Sequence, residues 1–281
     1  MIAGIVYFIS ASAAGAWVAE KVVVPVFALL DEYRIPAATN NSEPEMVEQS
    51  AQVELDSTKK AVDVDVSLPA ISCFAVQAGV YASSANAQSQ AALLQSAGEA
   101  GYVLQDGNRY RVLSEAYESE ADARQRKDQH LAQGRDRALY AINTNAASYR
   151  VSALEEQLEG VNTGFAAIAK AQKALCTVVL DLSRGVHDAA SAQGELQSIG
   201  SALQSDMSLL CDYEGEHAAL SDILTCYNDC LGAIEKAANS DPSNLTSFAA
   251  QAKYAQLSVA DSYSKLMTRL SYAGSTPSVA S

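Results

Sequence analysis

The chain has 281 residues, which leaves room for two small folded domains and extensions. Hydrophobic residues make up 49% of it, so it can bury a core. Its net charge of −14 argues against a nucleic-acid partner, because binding to phosphates requires a basic surface.

The first thirty residues are strongly apolar. Residues 2–19 read IAGIVYFISASAAGAWVA and contain no charged side chain. As a helix they would be about 27 Å long, close to the thickness of the hydrocarbon core of a bilayer. We therefore expect residues 1–30 to form an N-terminal membrane anchor with a transmembrane helix. A cleaved signal peptide and a buried helix of a soluble protein are the alternatives.

Residues 31–70 have the composition of a linker. They contain Pro36, Pro44 and Pro69, many acidic residues and little apolar periodicity. Such a segment buries too little apolar surface to offset the entropy cost of ordering, and its like charges extend it. We predict a disordered acidic linker here.

Residues 71–144 contain a sequence pattern that occurs twice, 36 residues apart. Phe74, Val76 and Tyr81 of CFAVQAGVY recur as Tyr110, Val112 and Tyr117 of NRYRVLSEAY. Both stretches alternate in the manner of a strand, and a stretch of helix-forming residues follows each of them. Two further short strands, 102–104 and 137–143, complete the order strand, helix, strand, strand, helix, strand. This order predicts an α+β fold of the split βαβ (ferredoxin-like) type, with both helices on one face of the sheet.

The repeated segments resemble the two halves of a SPOR domain, a bacterial cell-wall module. Residues 74–98, the turn at Asp106 and Gly107, and residues 110–134 carry this resemblance, and the family halves typically read VQVGAF and YRVRVGPF. The resemblance implies that the sheet face without helices binds septal glycan strands that have lost their stem peptides. An apolar N-terminus and a polar linker before this module are also usual in the family.

The alternation of the strands predicts which side chains lie on that face. A guanidinium group and an amide suit the hydroxyl and acetamido groups of sugars, and a glycine allows a ring to approach the backbone. By position, Gln77 and Arg111 match the Gln and Arg of the family motifs. The predicted glycan-binding residues are Gln77, Gly79, Arg109, Arg111 and Leu113. Ala75 is expected on the same face.

Two departures from the family pattern indicate an altered glycan site. Glu115, Ala116 and Tyr117 stand where the family usually has Gly-Pro-Phe, and Val80 replaces a small polar residue. RNA-recognition sheets share the strand order, but they stack bases on exposed aromatic side chains, and the aromatic residues here are expected to point inward. The sequence therefore favours glycan over RNA.

Residues 147–271 have helical periodicity. Apolar residues at positions 151, 154, 158, 161, 165, 168, 175, 179 and 182 follow a spacing of three or four in which only position 172, a glutamine, is polar. This pattern predicts a long helix that Gly185 ends. A second stretch with a break near Gly215 and a third that Asp241 caps follow. We predict an antiparallel coiled-coil or helical bundle, and a flexible tail over 272–281.

No catalytic motif, metal-ligand spacing or cofactor-binding motif occurs in the sequence. Together with the apolar N-terminus, the resemblance to SPOR domains implies a non-enzymatic protein of the bacterial cytoplasmic membrane, with the SPOR-like module and the bundle on the outer side. It would bind peptidoglycan glycan during division or wall remodelling and space or recruit envelope proteins through the bundle. A coiled-coil envelope scaffold whose SPOR-like module has no ligand is the second interpretation, and an autolysin with a wall-binding module is the third.

Overall fold

The computed structural model of the chain describes residues 61–211 and 218–273. These residues form six strands and six α-helices. The strands are Ala61–Leu68 (β1), Phe74–Tyr81 (β2), Tyr102–Asp106 (β3), Arg109–Tyr117 (β4), Ala138–Ala141 (β5) and Ala147–Leu154 (β6). The helices are Ser84–Ser96 (α1), Glu120–Ala132 (α2), Leu158–Arg184 (α3), Ala189–Cys211 (α4), Ala218–Ala238 (α5) and Leu245–Ala273 (α6).

Four of the strands form one antiparallel sheet in the order β3-β4-β2-β5. The predicted order of strands and helices is confirmed. Helix α1 packs on this sheet through Ala87, Ala91 and Leu94, which surround Val112. Ser119 precedes helix α2 and caps it, because its side chain accepts a hydrogen bond from the backbone N–H of Ala121.

Two irregularities in the pairing of β2 with β4 change which side chains share a face. Val76 lies opposite Glu115 but Gln77 lies opposite Leu113, so Ser114 of β4 has no partner in this pairing. The next pair is Gly79 with Val112, so Ala78 of β2 has none either. Such bulges shift the alternation of one strand by a residue. Leu113 therefore lies on the face of Gln77, away from α1 and α2.

The second irregularity moves Gly79 to the opposite face from the one we predicted. A Cβ atom on Gly79 would lie 2.8 Å from the hydroxyl oxygen of Tyr81, and Tyr81 packs in the cluster beneath α1. Val80, which lies opposite Arg111, occupies the face that was predicted for Gly79. A strict period of two cannot show this shift, because the sequence does not mark the bulge.

Strands β1 and β6 form a separate antiparallel ribbon that packs on α3. Val66, Leu68, Val151 and Ala153 are buried on its inner face. The linker prediction is therefore wrong for residues 61–68, and the helical prediction is wrong for residues 147–154. The remainder of the predicted linker, residues 31–60, lies outside the described residues.

Helices α3 to α6 form a four-helix bundle in which each helix contacts the next and α6 returns to α3. Helix α3 ends at Gly185, which has a left-handed conformation with φ of 68°, as the sequence predicts. Helix α6 begins later than predicted: Asn244 Oδ1 accepts the hydrogen bond from Ser247 N, and Asp241 belongs to the preceding turn. The predicted break near Gly215 and the tail over 274–281 lie outside the described residues.

One hydrophobic core runs through the sheet, the ribbon and the bundle. Ala75, Leu104, Leu113 and Ala116 of the sheet belong to the same buried cluster as the inner faces of α3 to α6. The sheet face that was predicted to be free is thus covered by α6 and α3 over much of its area. That part of the prediction is wrong, since the bundle packs on the sheet instead of forming its own core.

Across the helices of residues 61–211 and 218–273, none combines the length and the apolar character that spanning a bilayer requires. The predicted anchor, residues 1–30, lies outside this part of the chain.

Candidate functional site

Arg111 is the centre of the part of the sheet face that stays exposed. Its Nε and Nη2 atoms each lie 2.7 Å from Asp106 Oδ2, and its Nη1 donates to Gln77 Oε1 at 2.7 Å. Its guanidinium carbon lies 4.5 Å from the ring centre of Tyr140, a cation–π arrangement. These contacts fix the orientation of Arg111 while a quarter of its side chain remains exposed.

Two further side chains extend this surface. Val80 is 38% exposed beside Arg111, and the exposed Arg109 lies opposite Asp106 on the neighbouring strand. We call this surface the Arg111 patch, and its residues are Gln77, Val80, Asp106, Arg109, Arg111 and Tyr140. It combines a fixed guanidinium group, a second cation, an aromatic ring and an apolar side chain.

The structure brings together three of the five predicted glycan-binding residues. Gln77, Arg109 and Arg111 are in the patch, although Gln77 is only 9% exposed and accepts a hydrogen bond from Arg111. Gly79 lies on the opposite face, and Leu113 is completely buried beneath the bundle. Neither can touch a ligand at the patch.

Sequence reasoning missed Val80, Asp106 and Tyr140. Tyr140 pairs with Ala75 across β2 and β5, so it shares the face of Ala75 and Gln77. The register of the fourth strand could have revealed this, because antiparallel partners point to the same side of a sheet. Asp106 was assigned only to the turn. Val80 lies on this face only because of the bulge in β2, which the sequence does not show.

Specific polar contacts hold α6 on the remainder of the sheet face. The hydroxyl of Tyr102 donates to Asp261 Oδ2 at 2.6 Å, and Gln256 Nε2 donates to the backbone oxygen of Ala116 at 3.1 Å. Burial, together with the charge of Asp261, raises the pKa of Tyr102. Tyr102 therefore stays neutral and donates this hydrogen bond, which fixes the position of α6 on the sheet.

A buried ionic cluster occupies the place of the family's Gly-Pro-Phe. One carboxylate oxygen of Glu115, Oε1, lies 2.7 Å from Arg126 Nε and 2.9 Å from His130 Nε2. The other, Oε2, lies 3.1 Å from the Tyr117 hydroxyl oxygen and 3.5 Å from Lys253 Nζ. Burial alone would raise the pKa of Glu115, but the hydrogen bond from His130 and the charges of Lys253 and Arg126 outweigh it and hold that pKa well below its usual range. The carboxylate joins β4, α2 and α6.

This cluster has the residue types of an acid–base site but not the access. The side chains of Glu115 and His130 are 1% and 0% exposed. A general acid or base has to come within hydrogen-bond distance of its substrate. The cluster therefore serves packing and orientation.

Comparison with protein families identifies the sheet. Residues 72–152 match the family model of the SPOR domain. This segment is a SPOR domain. It comprises β2 to β5 with α1 and α2 and extends into β6, so the outer strand of the ribbon belongs to the matched region. Comparison of the chain with curated proteins and with solved structures finds no match.

The assignment to the SPOR family supports a general role in wall binding. SPOR domains are peptidoglycan-binding modules without catalytic function, as the resemblance of the repeated segments already implied. On the sheet face away from α1 and α2, the exposed polar side chains of this SPOR domain lie at one end, around Arg111, and the rest of that face packs against α3 and α6.

Proposed function

We propose that the protein binds peptidoglycan glycan strands, and preferentially peptide-poor ones, through the Arg111 patch. The observation that carries this proposal is the fixed guanidinium group of Arg111, which Gln77, Asp106 and Tyr140 hold at the exposed end of a SPOR sheet. A side chain that is ordered before binding loses less conformational entropy when the ligand arrives.

The chemistry of the patch suits a short glycan segment. Arg109 and the exposed N–H groups of Arg111 can donate to hydroxyl and acetamido oxygens. Val80 and the half-buried Tyr140, whose ring Arg111 covers on one side, offer apolar surface for the faces of sugar rings. Because α3 and α6 cover the rest of this face, a glycan strand could contact the sheet only at the Arg111 end of β2 and β4.

We further propose that the apolar residues 1–30 anchor the protein in the bacterial cytoplasmic membrane, with the SPOR domain on the outer side. The support is the uncharged stretch 2–19 together with the wall-binding family of the domain. The four-helix bundle would space the SPOR domain from the membrane or recruit an envelope protein in division or remodelling. We expect no catalytic activity in the helical part, and a zymogram with lysis would contradict this.

The covering of the sheet face favours a second candidate. Leu113 and Ala116 lie under α6 instead of facing solvent, so the SPOR sheet contributes to the packing of the bundle. A scaffold protein of the envelope whose SPOR domain has no ligand would show the same arrangement. Binding to purified wall material distinguishes the two candidates.

The experiment is a pull-down of the full chain on purified sacculi, with and without amidase treatment. We expect retention that increases after amidase treatment, and the double variant Gln77→Ala with Arg111→Ala should lose it. Arg150→Ala, which removes an exposed arginine of the ribbon, is the matched control and should bind like the natural protein. Retention that amidase does not change would contradict the preference for peptide-poor strands, and equal binding by the double variant would contradict the patch.

A further inference from the structure

A long groove runs along α3 on the side of the molecule that faces α2. Three adjoining cavities form it, with volumes of about 210, 200 and 400 Å³. The first two share Tyr117, Asp122 and Leu180, and the last two share Glu118 and Cys176. We call this surface the α3 groove.

One face of α3 provides the whole length of the groove. Its lining residues on α3 recur three or four positions apart, from Ala166 through Lys170 and Lys173 to Leu180 and Arg184. At a rise of 1.5 Å per residue these positions span about 27 Å. Helix α2, the β4–α2 connection and the β1–β2 connection form the opposite wall. An extended chain, and not a compact small molecule, fits this shape.

The groove is basic on a protein that is strongly acidic overall. Its lining contains the cations of Arg126, Lys170, Lys173 and Arg184 but only two carboxylates, those of Glu118 and Asp122. Arg184 pairs with Asp122 at 3.0 Å, and Arg126 pairs with the buried Glu115. Lys170 and Lys173 are exposed and have no ion pair with any residue of the described part. These two ammonium groups are therefore available to an anionic ligand.

Peptide-poor glycan is such an anion. An amidase hydrolyses the amide that joins the stem peptide to the lactyl group of N-acetylmuramic acid, so every second sugar of the strand is left with a carboxylate. The rest of the strand offers hydroxyl and acetamido groups, which match the polar side chains of Gln125, Gln129 and Ser183 along the groove.

We propose that the α3 groove is a second glycan site, in which Lys170 and Lys173 bind the lactyl carboxylates of stripped strands. This inference rests on the proposed function, because it takes the same polymer as ligand, but it assigns a surface distinct from the Arg111 patch, between α3 and the α2 side of the SPOR domain. The patch around Arg111 then recognises sugar groups, while the groove distinguishes strands with free carboxylates from strands that still carry peptides.

The test compares two forms of labelled glycan strand with the full chain at low ionic strength. One form is amidase-stripped glycan, and the other is the same glycan with its carboxylates chemically reduced to alcohols. The variant Lys170→Glu with Lys173→Glu reverses the two free cations. Lys127→Glu with Lys236→Glu makes the same change in net charge at positions that do not line the groove.

We expect the groove variant to bind stripped strands about tenfold more weakly than the natural protein, since two ion pairs are replaced by repulsion. The control variant should bind stripped strands like the natural protein, and all three proteins should bind reduced strands alike. A groove variant that matches the control overturns the groove site, whereas the patch stands if Arg111→Ala still loses binding. Natural protein that binds neither form of strand overturns the proposed function as well.

Discussion

At the scale of single residues, Glu115 carries a buried charge with several partners, Arg126, His130 and Lys253. Replacing it by Gln leaves Arg126 and Lys253 close together without their common counter-ion. Loss of one partner from a buried ion pair costs about 3 kcal/mol, because the other charge stays buried and uncompensated. We therefore expect Glu115→Gln to lower the free energy of unfolding at pH 7 by this amount, measured by urea denaturation with an unchanged slope. Glu120→Gln, which breaks an exposed pair with Arg124, is the control and should cost less than about 0.5 kcal/mol.

The same carboxylate gives this prediction a pH dependence. Because the pKa of Glu115 is lower in the folded than in the unfolded state, its contribution is fully present above the unfolded pKa of about 4.3 and is lost as the pH falls below it. The difference in stability between the natural protein and Glu115→Gln should thus shrink as the solution is acidified below this pKa. A difference that grows with acid, or a cost no larger than that of Glu120→Gln, would contradict the account of the cluster.

Residue-level prediction from the sequence succeeded where strand alternation is regular. Arg111 and Gln77 were placed on one face, and the structure joins them by a hydrogen bond. Gly79 was misplaced because a bulge in β2 shifts the alternation after Gln77. Glu115 appeared only as a departure from the family motif, since its partners Arg126, His130 and Lys253 come from distant parts of the chain.

At the scale of the elements, the packing of α6 and α3 on β4 makes a clear prediction for Leu113. This side chain is completely buried between the sheet and the bundle, whereas on a free sheet face it would be exposed. Leu113→Ala should therefore lower the free energy of unfolding by about 3 kcal/mol, through lost burial and the cavity that remains.

The matched control is Leu93→Ala, which removes the same atoms from a side chain of α1 that is 65% exposed. Its effect should stay within about 0.5 kcal/mol. Thermal or urea unfolding of both variants measures the difference. Equal effects of the two substitutions would mean that α6 does not cover the sheet face in solution.

The errors at element scale have a common physical origin. Val151 and Leu154 fit the three- and four-residue spacing of the following helix, but Val151 also alternates with Ala153, and pairing with β1 decides in favour of the strand. Residues 61–68 alternate in the same way and were assigned to the linker for their acidic side chains. A short strand is stabilised by its partner, and here the paired residues are 79 to 93 positions apart. The end of α3 at Gly185 was predictable because a left-handed glycine is a local signal.

At the scale of the whole molecule, the sequence predicted a sheet and a bundle but not that they share a core. Both have one apolar face by their own periodicity, and each prediction treated the polar or mixed face as solvent-exposed. In the structure, Leu104 and Leu113 of the sheet join the apolar faces of α3 and α6. Short-range patterns cannot show which of two distant apolar surfaces will meet. The predicted binding face is therefore exposed only at the Arg111 patch.

The shared core predicts how the SPOR domain behaves when it is separated from the bundle. A fragment of residues 72–152 would expose Leu104, Leu113 and Ala116, and it would lose the partner of β6. Contiguous apolar surface of this kind favours self-association. We expect the fragment to elute as oligomers or aggregates in size-exclusion chromatography.

The shared core also predicts that the sheet and the bundle unfold together. The unit of residues 56–281 should unfold in urea as one transition, with coincident far-UV and near-UV circular dichroism curves. A monomeric, folded fragment, or two separate transitions in the longer protein, would show that the sheet and the bundle are independent and that the whole sheet face is open to glycan after all.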